Sequence, residues 1–263
     1  MERKENNSKG VFVVNQPKHL IATIIVIDDV LPLPEPIHKV LCKLSEKTDI
    51  MFIFKSPSFN KVHKDKFASL YQGCSWIDST NELVSISLFN ILLYCTKIFN
   101  KHLGYLIISS ESLLDEKIFS DKFFNNLEQI TESTVTKPIY KIRRLSSDEL
   151  YKFYSKSIDE LNKEEIRNLG FNLFKFLLPD IEDSTDKAID CRHCTWTSDS
   201  NALFLKMKIV ENIVIKCSTG GFKEYIKTFT DNDSRYFIVN IIKLMGIENI
   251  DYNLEDLDIK KLK

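Results

Sequence analysis

The apolar run LIATIIVID at residues 20–28 constrains the fold of this chain more than any other feature. It is short and rich in β-branched residues, which is typical of a strand buried on both faces of a sheet. Similar runs recur along the first half, and segments with apolar residues at helical spacing separate them. The predicted strands are 20–28, 49–58, 75–79, 103–112 and a short last one at 137–144. The predicted helices are 35–47, 61–73, 80–99 and 115–132. Alternation of this kind predicts an α/β fold, a parallel sheet flanked by helices.

Composition narrows the class of protein. The 263 residues carry a formal net charge of −1, so any nucleic-acid contact must come from a local basic patch. Seven glycines disfavour glycine-rich phosphate loops and β-sandwiches. The opening residues are polar rather than a secretory signal, and the apolar stretch at 83–99 is too polar to span a membrane. We therefore expect a soluble intracellular protein, cytoplasmic or nuclear, with reduced cysteines and no membrane partner.

The chain changes character near residue 145. Residues 1–18 are predicted to be a flexible lead-in and 19–145 the α/β domain. Residues 146–263 are predicted to be a helix-rich C-terminal domain, because capping-box patterns begin at Ser146 and Asn162. The segment 202–219 fits either a helix or a β-hairpin, and its spacing of apolar residues favours a helix. Residues 234–246 are predicted to form another apolar helix.

Polar residues follow the ends of several predicted strands. Asp28, Lys55, Asp78 and the segment 109–111 all lie at or just beyond such an end. Because the carboxyl ends of parallel strands meet at one edge of a sheet, where ligands commonly bind, these residues form a candidate site. Asp29, which precedes a proline-rich stretch, is interpreted as a turn residue.

Three motifs of the first half, IIVIDD, STNELVSISLFNIL and LIISSESLLD, occur in that order. Over roughly residues 19–135 the chain resembles PIN-like nuclease domains, in particular the NYN-type and related bacterial branches. In that family a first strand ends in Asp, a later helix opens with an N-A-L-D-like element, and a strand runs into I-I-S-K-D-x-x-F-D. The resemblance implies a cluster of carboxylates that holds Mg²⁺ or Mn²⁺ for metal-dependent hydrolysis of a phosphodiester.

The family's acidic positions are only partly occupied in this chain. By the resemblance, Asp28 matches the first acid, Glu111 the Asp of the S-K-D element, with Ser110 in place of its Lys, and Asp115 the last acid. Val84 lies where the helix-borne Asp is expected. The predicted catalytic and metal-binding residues are therefore Asp28, Glu111 and Asp115. Neither Glu82 nor Asp78 is expected to replace the missing acid without a rearrangement. Glu82 is two positions before Val84, and a helical residue two positions away points about 200° round the helix. Asp78 lies a few residues earlier.

Basic residues extend the candidate site toward nucleic acid. The predicted nucleic-acid-binding residues are Lys55, Lys61, Lys64, Lys66, Arg143 and Arg144. A solvent-exposed lysine-rich loop is the other interpretation of the first four. Contacts of this kind with a phosphate backbone are salt-sensitive and independent of sequence.

Two other motifs indicate different kinds of site. The CRHC at 191–194 supplies Cys191 and Cys194, half of a structural zinc site, and the other nearby candidate, Cys217, is too little to complete the four ligands such a site needs. IIVIDD also resembles the acidic pocket of response-regulator receiver domains. That interpretation needs a phospho-acceptor Asp at the end of the third strand and later Thr or Ser and Lys residues. Asp78 could serve as the acceptor, but no Thr or Ser and no Lys follow it at matching strand ends.

Two functions therefore stay open. The first is a divergent or degenerate PIN-like protein that acts on or binds RNA or another single-stranded nucleic acid, and the incomplete acidic set favours loss of catalysis. The alternative is a non-enzymatic scaffold subunit, in which the apolar helices at 171–178 and 235–245 bind a protein partner.

Overall fold

The structure, a computed structural model, describes residues 12–13, 17–27, 35–54, 74–79, 84–98, 100–115, 118–146, 196–218 and 234–258. Strands and helices alternate among them, first along the N-terminal half and then again after residue 195. In chain order they are β1 (Phe12–Val13), β2 (Ile21–Ile27), α1 (Glu35–Lys47), β3 (Asp49–Phe54), β4 (Ser75–Asp78), α2 (Val84–Lys97), β5 (Gly104–Ser109), a 3-10 helix (Glu111–Leu114), α3 (Asp121–Glu132), β6 (Ile142–Arg144), β7 (Trp196–Ser198), β8 (Ala202–Lys206), α4 (Met207–Ser218) and α5 (Ser234–Leu244).

Six of the described strands form one sheet in the order β1-β4-β3-β2-β5-β8. β4, β3, β2 and β5 are parallel, whereas β1 and β8 run antiparallel to their neighbours. All seven residues of β2 are buried at the centre, as its β-branched sequence indicates. The predicted α/β fold with parallel central strands flanked by helices is confirmed. Its PIN-like character stays a prediction.

Helices cover both faces of the sheet. Apolar side chains of α2, α4 and α5 pack on one face, which includes Ile24, Ile53 and Ile107. Those of α1, the 3-10 helix and α3 pack on the other, which includes Ile25 and Phe52. α3 begins at an N-cap, Ser120, whose hydroxyl accepts a hydrogen bond from the N–H of Phe123 at 3.3 Å. None of the helices in the described part of the chain has the length and apolar character needed to cross a membrane.

The prediction of a helix at 202–219 is only half right. Residues 202–206 are β8, which pairs with β5 from Ala202 opposite Ile108 to Lys206 opposite Gly104, and the helix α4 begins at Met207. Pairing with a buried neighbouring strand therefore overrides the helical spacing of apolar residues. The sheet thus takes a strand from beyond residue 145, while the predicted domain boundary itself stays a prediction.

Ile139 pairs with β8 on the side of that strand that faces away from β5. Its N–H donates to the carbonyl of Phe204 at 3.0 Å, and the N–H of Phe204 donates back at 3.1 Å. The predicted last strand at 137–144 accordingly consists of this bridge and β6, which pairs antiparallel with β7. The predicted helix at 61–73 and the helices that the capping boxes at 146 and 162 predict, 146–158 and 162–179, lie outside the described residues, apart from Ser146, as does most of the lead-in.

Candidate functional site at the carboxyl edge of the sheet

The order of the parallel strands marks one position at which ligands bind in folds of this type. From β2 the chain moves outward through β3 and β4, and then returns to the other side of β2 as β5. The strand order therefore reverses between β2 and β5, and a crevice at such a reversal opens at the carboxyl ends of the strands. We call this end of the sheet, where Ile27, Phe54, Asp78 and Ser109 lie, the carboxyl edge.

The chain turns sharply after β5. The N–H of Ser110 donates to the carbonyl of Val26 at 3.0 Å, which ties the turn to the neighbouring β2. The hydroxyls of Ser109 and Ser112 are hydrogen-bonded at 2.7 Å. These contacts, together with the buried Leu113, fix the 3-10 helix against the end of the sheet.

Two of the three predicted carboxylates lie at the ends of that 3-10 helix, since Glu111 is its first residue and Asp115 directly follows it. Both are exposed. The N–H of Asp115 donates to the carbonyl of Ser112 at 3.4 Å. Burial raises the pKa of Glu255, and the carboxylates of Asp256 and Asp115 raise it further, so Asp115 lies near the C-terminal segment. Both predicted residues thus follow β5, at the expected edge.

Asp28, the third predicted carboxylate, lies outside the described residues, although the strand that leads to it ends at Ile27 on the same edge. Within the described ranges, no group of three or more His, Cys, Asp or Glu side chains is arranged to hold a metal ion. Convergence of Asp28, Glu111 and Asp115 therefore stays a prediction, as does a Mg²⁺ or Mn²⁺ cofactor.

Val84 begins α2 and is fully buried, packed in the core formed with α4 and α5. An acid at this position would be desolvated, so the buried aliphatic side chain is what the fold requires here. Asp78 ends β4 opposite Phe54, and Glu82 lies outside the described residues. The next residue after β4, Ser79, donates through both its N–H and its hydroxyl to the carbonyl of Phe54, at 2.9 and 2.8 Å.

Arg143 and Arg144 are the two predicted nucleic-acid-binding residues that the structure describes, and they are in different environments. Arg143 forms an ion pair with Asp199 through its Nε, and its Nη1 donates to the carbonyl of Arg144 at 3.0 Å. Arg144 is exposed, and its guanidinium carbon lies 5.0 Å from the centroid of the Trp196 ring. Lys55, Lys61, Lys64 and Lys66 lie outside the described residues.

The β6–β7 ribbon lies toward the carboxyl edge. Ile139 pairs antiparallel with β8, so the chain from Ile139 to β6 runs toward the end of β8 that begins at Ala202. Ala202 is opposite Ile108, at the carboxyl end of β5. β7 leads into β8 from the same end. Arg144 and Trp196 are therefore on the side of the molecule where Glu111 and Asp115 lie.

Nothing in the sequence connects Trp196 with Arg144. The two residues are 52 positions apart and meet because Arg144 is opposite Trp196 in the β6–β7 ladder. The signal in the sequence was an isolated aromatic residue followed by Thr and Ser, which is compatible with a short strand but does not identify its partner.

A groove of 570 Å³ lies at the opposite, amino end of the sheet. It is bounded by the start of β2, the end of α1 and the second half of α3, and an ion pair between Lys47 and Glu128 joins the two helices there. This groove is separate from the predicted site, and it was not predicted from the sequence.

The cysteines give no described metal site. Cys191 and Cys194 lie outside the described residues. Cys217 is buried in the core, and burial raises the pKa of its thiol. Because zinc binds the thiolate, this environment opposes a role for Cys217 as a ligand.

The comparisons with known proteins assign no family. No family model matches the chain, and no curated protein matches it.

Proposed function

We propose that the chain is a nucleic-acid-binding protein with a PIN-like α/β domain, that RNA is its ligand, and that its metal-dependent phosphodiester hydrolysis is impaired or lost. The observation that carries the proposal is the arrangement at the reversal of strand order. Two exposed carboxylates, Glu111 and Asp115, follow β5 there, while buried Val84 occupies the position at which the resembled family has a further acid.

The ligand set for a metal is incomplete among the described residues. Glu111 and Asp115 supply oxygen atoms of the kind that Mg²⁺ and Mn²⁺ prefer, and in such sites the metal activates water and stabilises charge on the phosphate. Val84 supplies no ligand, and a metal bound by fewer carboxylates is held more weakly. Binding of nucleic acid without efficient cleavage is the outcome that this set favours.

Cationic side chains near the same edge support binding of a phosphate backbone. Arg144 is exposed beside Trp196, and the exposed Lys141 lies three residues earlier. Since the whole chain has a net charge of −1, attraction to nucleic acid depends on such local groups. We expect affinity to fall as the salt concentration rises.

The scaffold alternative depends on apolar helices that bind a partner. Tyr236, Phe237, Ile238, Val239, Ile241 and Ile242 of α5 are all buried inside the protein. These apolar side chains of the predicted docking helix at 235–245 therefore pack in the protein core and are not available on the surface to bind a partner. The other predicted docking helix, 171–178, lies outside the described residues.

Calorimetric titration with Mn²⁺, followed by an RNA cleavage assay on the same samples, tests the proposal. Wild type is compared with Asp28→Asn and with Asp29→Asn, a neighbouring carboxylate that is predicted to be a turn residue. We expect RNA binding in all three, weak or no Mn²⁺ binding in wild type and little cleavage.

The possible outcomes separate the functions. Tight Mn²⁺ binding and cleavage that disappear in Asp28→Asn but persist in Asp29→Asn would contradict the loss of catalysis and establish an active nuclease. Absence of RNA binding by the wild type would contradict the proposal as a whole and leave the scaffold function.

A further inference from the structure

The backbone of Trp196, at the start of β7, is hydrogen-bonded to helix α5. The backbone N–H of Trp196 donates to the side-chain oxygen of Asn240 on α5 at 3.3 Å. The side-chain nitrogen of Asn240 donates back to the backbone carbonyl of Trp196 at 2.7 Å. The same nitrogen donates to the carbonyl of Tyr236 at 2.8 Å, and Asn240 is 1% exposed. The indole is partly buried against the core. A buried amide thus fixes the backbone from which the ring projects.

Two cations lie beside the Trp196 ring. The guanidinium carbon of Arg144 is 5.0 Å from the ring centroid, and the ammonium nitrogen of Lys243 is 6.0 Å from it. Lys243 is oriented further by donating to the side-chain oxygen of Asn249 at 3.2 Å. Both distances are in the range at which the ring attracts a cation. The cluster therefore presents positive charge and an aromatic ring together.

Arg144 and its neighbour Arg143 differ in what they can offer a ligand. Arg143 is engaged by Asp199 and by the carbonyl of Arg144. Among the described residues no carboxylate lies within ion-pair distance of the Arg144 guanidinium, which stays exposed. Its planar guanidinium has N–H donors at its rim and is a group that stacks on aromatic rings.

We propose that Trp196 and Arg144 form a stacking platform for a base of single-stranded nucleic acid, with the ammonium of Lys243 contacting an adjacent phosphate. This rests on the proposed nucleic-acid function and specifies its ligand as single-stranded. Exposed bases stack on aromatic rings and on arginine planes, whereas the bases of a duplex are already stacked on each other. An acidic or phosphorylated peptide would use the charges but would have no base for the stack.

The conservative substitution Arg144→Lys tests the platform, because it keeps the charge and removes the planar group. The matched control is Arg143→Lys, an adjacent arginine that already has a carboxylate partner. Binding of a fluorescent single-stranded oligouridine to the full chain is followed by anisotropy. We expect Arg144→Lys to weaken binding about tenfold, within the range measured for loss of a stacked base, and Arg143→Lys to change it less than about twofold.

A spectroscopic readout reports the stack directly. The chain has two tryptophans, Trp76 and Trp196, so a Trp76→Phe variant leaves Trp196 as the single emitter. We expect the oligonucleotide to quench this emission. Heparin, a polyanion without bases, and a fully paired RNA duplex serve as competitors, and we expect both to compete weakly.

Several results would overturn the platform. Equal effects of Arg144→Lys and Arg143→Lys would do so, as would oligouridine binding that Arg144→Lys leaves unchanged. Competition by heparin or duplex equal to that of the single strand would assign the binding to charge alone. In each of these cases nucleic-acid binding itself survives, whereas a chain that binds no RNA contradicts the proposed function as well. Thermal unfolding of each variant confirms that it is folded.

Discussion

Asp49 and His102 form a pair at the amino edge of the sheet, far from the predicted site. The Nε2 of His102 is 3.0 Å from a carboxylate oxygen of Asp49, and the His102 side chain is 1% exposed. The backbone N–H groups of Lys18 and His19 donate to the same carboxylate. Burial raises the pKa of Asp49, but the hydrogen bonds from these three residues lower it by more, and the net pKa lies below its ordinary value.

Asp49→Asn should therefore destabilise the protein in a pH-dependent way. We expect the free energy of unfolding to fall by about 2 kcal/mol near neutral pH, because hydrogen bonds to a charged group contribute roughly 1.5–3 kcal/mol. The pKa is lower in the folded state, so this contribution is present above the unfolded pKa and is lost as pH falls through the folded one. The difference between wild type and variant should shrink as the pH falls below about 4, the ordinary pKa of an Asp side chain, as urea titrations can measure.

Glu211→Gln is the control for this experiment, since Glu211 is exposed on α4. Its effect on unfolding should stay within about 0.5 kcal/mol at each pH. A difference between wild type and Asp49→Asn that stays constant into the acid range would show that the carboxylate charge does not stabilise the pair.

Residue positions next to strand ends were predictable from the sequence, and long-range pairs were not. Glu111 and Asp115 follow β5 as expected, because the end of an apolar run marks the end of a strand. Asp49 and His102 are 53 positions apart, and their contact depends on the register of β3 and β5 across β2. Packing between the strands sets this register, and the hydrophobic pattern of a single sequence does not reveal it.

At the level of elements, Lys206 links β8, which follows the predicted domain boundary at residue 145, to α3, which precedes it. Its ammonium group donates to the carbonyls of Ile130 and Thr131, at 2.7 and 3.1 Å, in the last turn of α3. Carbonyls in the last turn have no partner within the helix, and a cation there also interacts favourably with the helix dipole. Burial lowers the pKa of Lys206, so desolvation offsets part of this gain.

Lys206→Met should lower the free energy of unfolding by about 1 kcal/mol, because two carbonyls lose a charged donor while the apolar stem is retained. Lys208→Met is the matched control, since Lys208 is an exposed lysine two residues later. Urea unfolding of both variants measures the difference. Equal effects of the two substitutions would show that the contacts with α3 do not contribute to stability.

The same segment shows why its structure was harder to predict than that of the first half. Residues 202–218 have apolar residues at helical spacing throughout, yet the first five form a strand because β5 offers a buried edge for pairing. Before residue 145, the described elements β2, β3, β5 and α1 were predictable since each run has one strong periodicity, whereas β1 lies in the predicted lead-in and α3 begins later than predicted, at Asp121. A segment that changes from strand to helix without a turn residue has no such signal.

At the scale of the whole molecule, residues on both sides of position 145 build the same core. α2, from the first half, packs on one face of the sheet with α4 and α5 from the second half. β8 lies so close to β5 that a Cβ atom at Gly104 would be 2.5 Å from the Cζ of Phe204. Removing the second half would expose β5 at its edge and most of one apolar face of the sheet, which disfavours a stable native state.

The fragment 1–145 is therefore expected not to fold cooperatively. Without β8, α4 and α5, buried side chains such as Tyr105 and Ile107 lose their covering layer, and the remaining apolar burial does not offset the entropy of ordering the chain. Circular dichroism during heating should show a broad, shallow change for the fragment and one sharp transition for the full chain, and the fragment should bind a hydrophobic dye. A sharp transition in the fragment, near that of the full chain, would instead establish residue 145 as a true domain boundary and make β8 an addition to a sheet that is already stable.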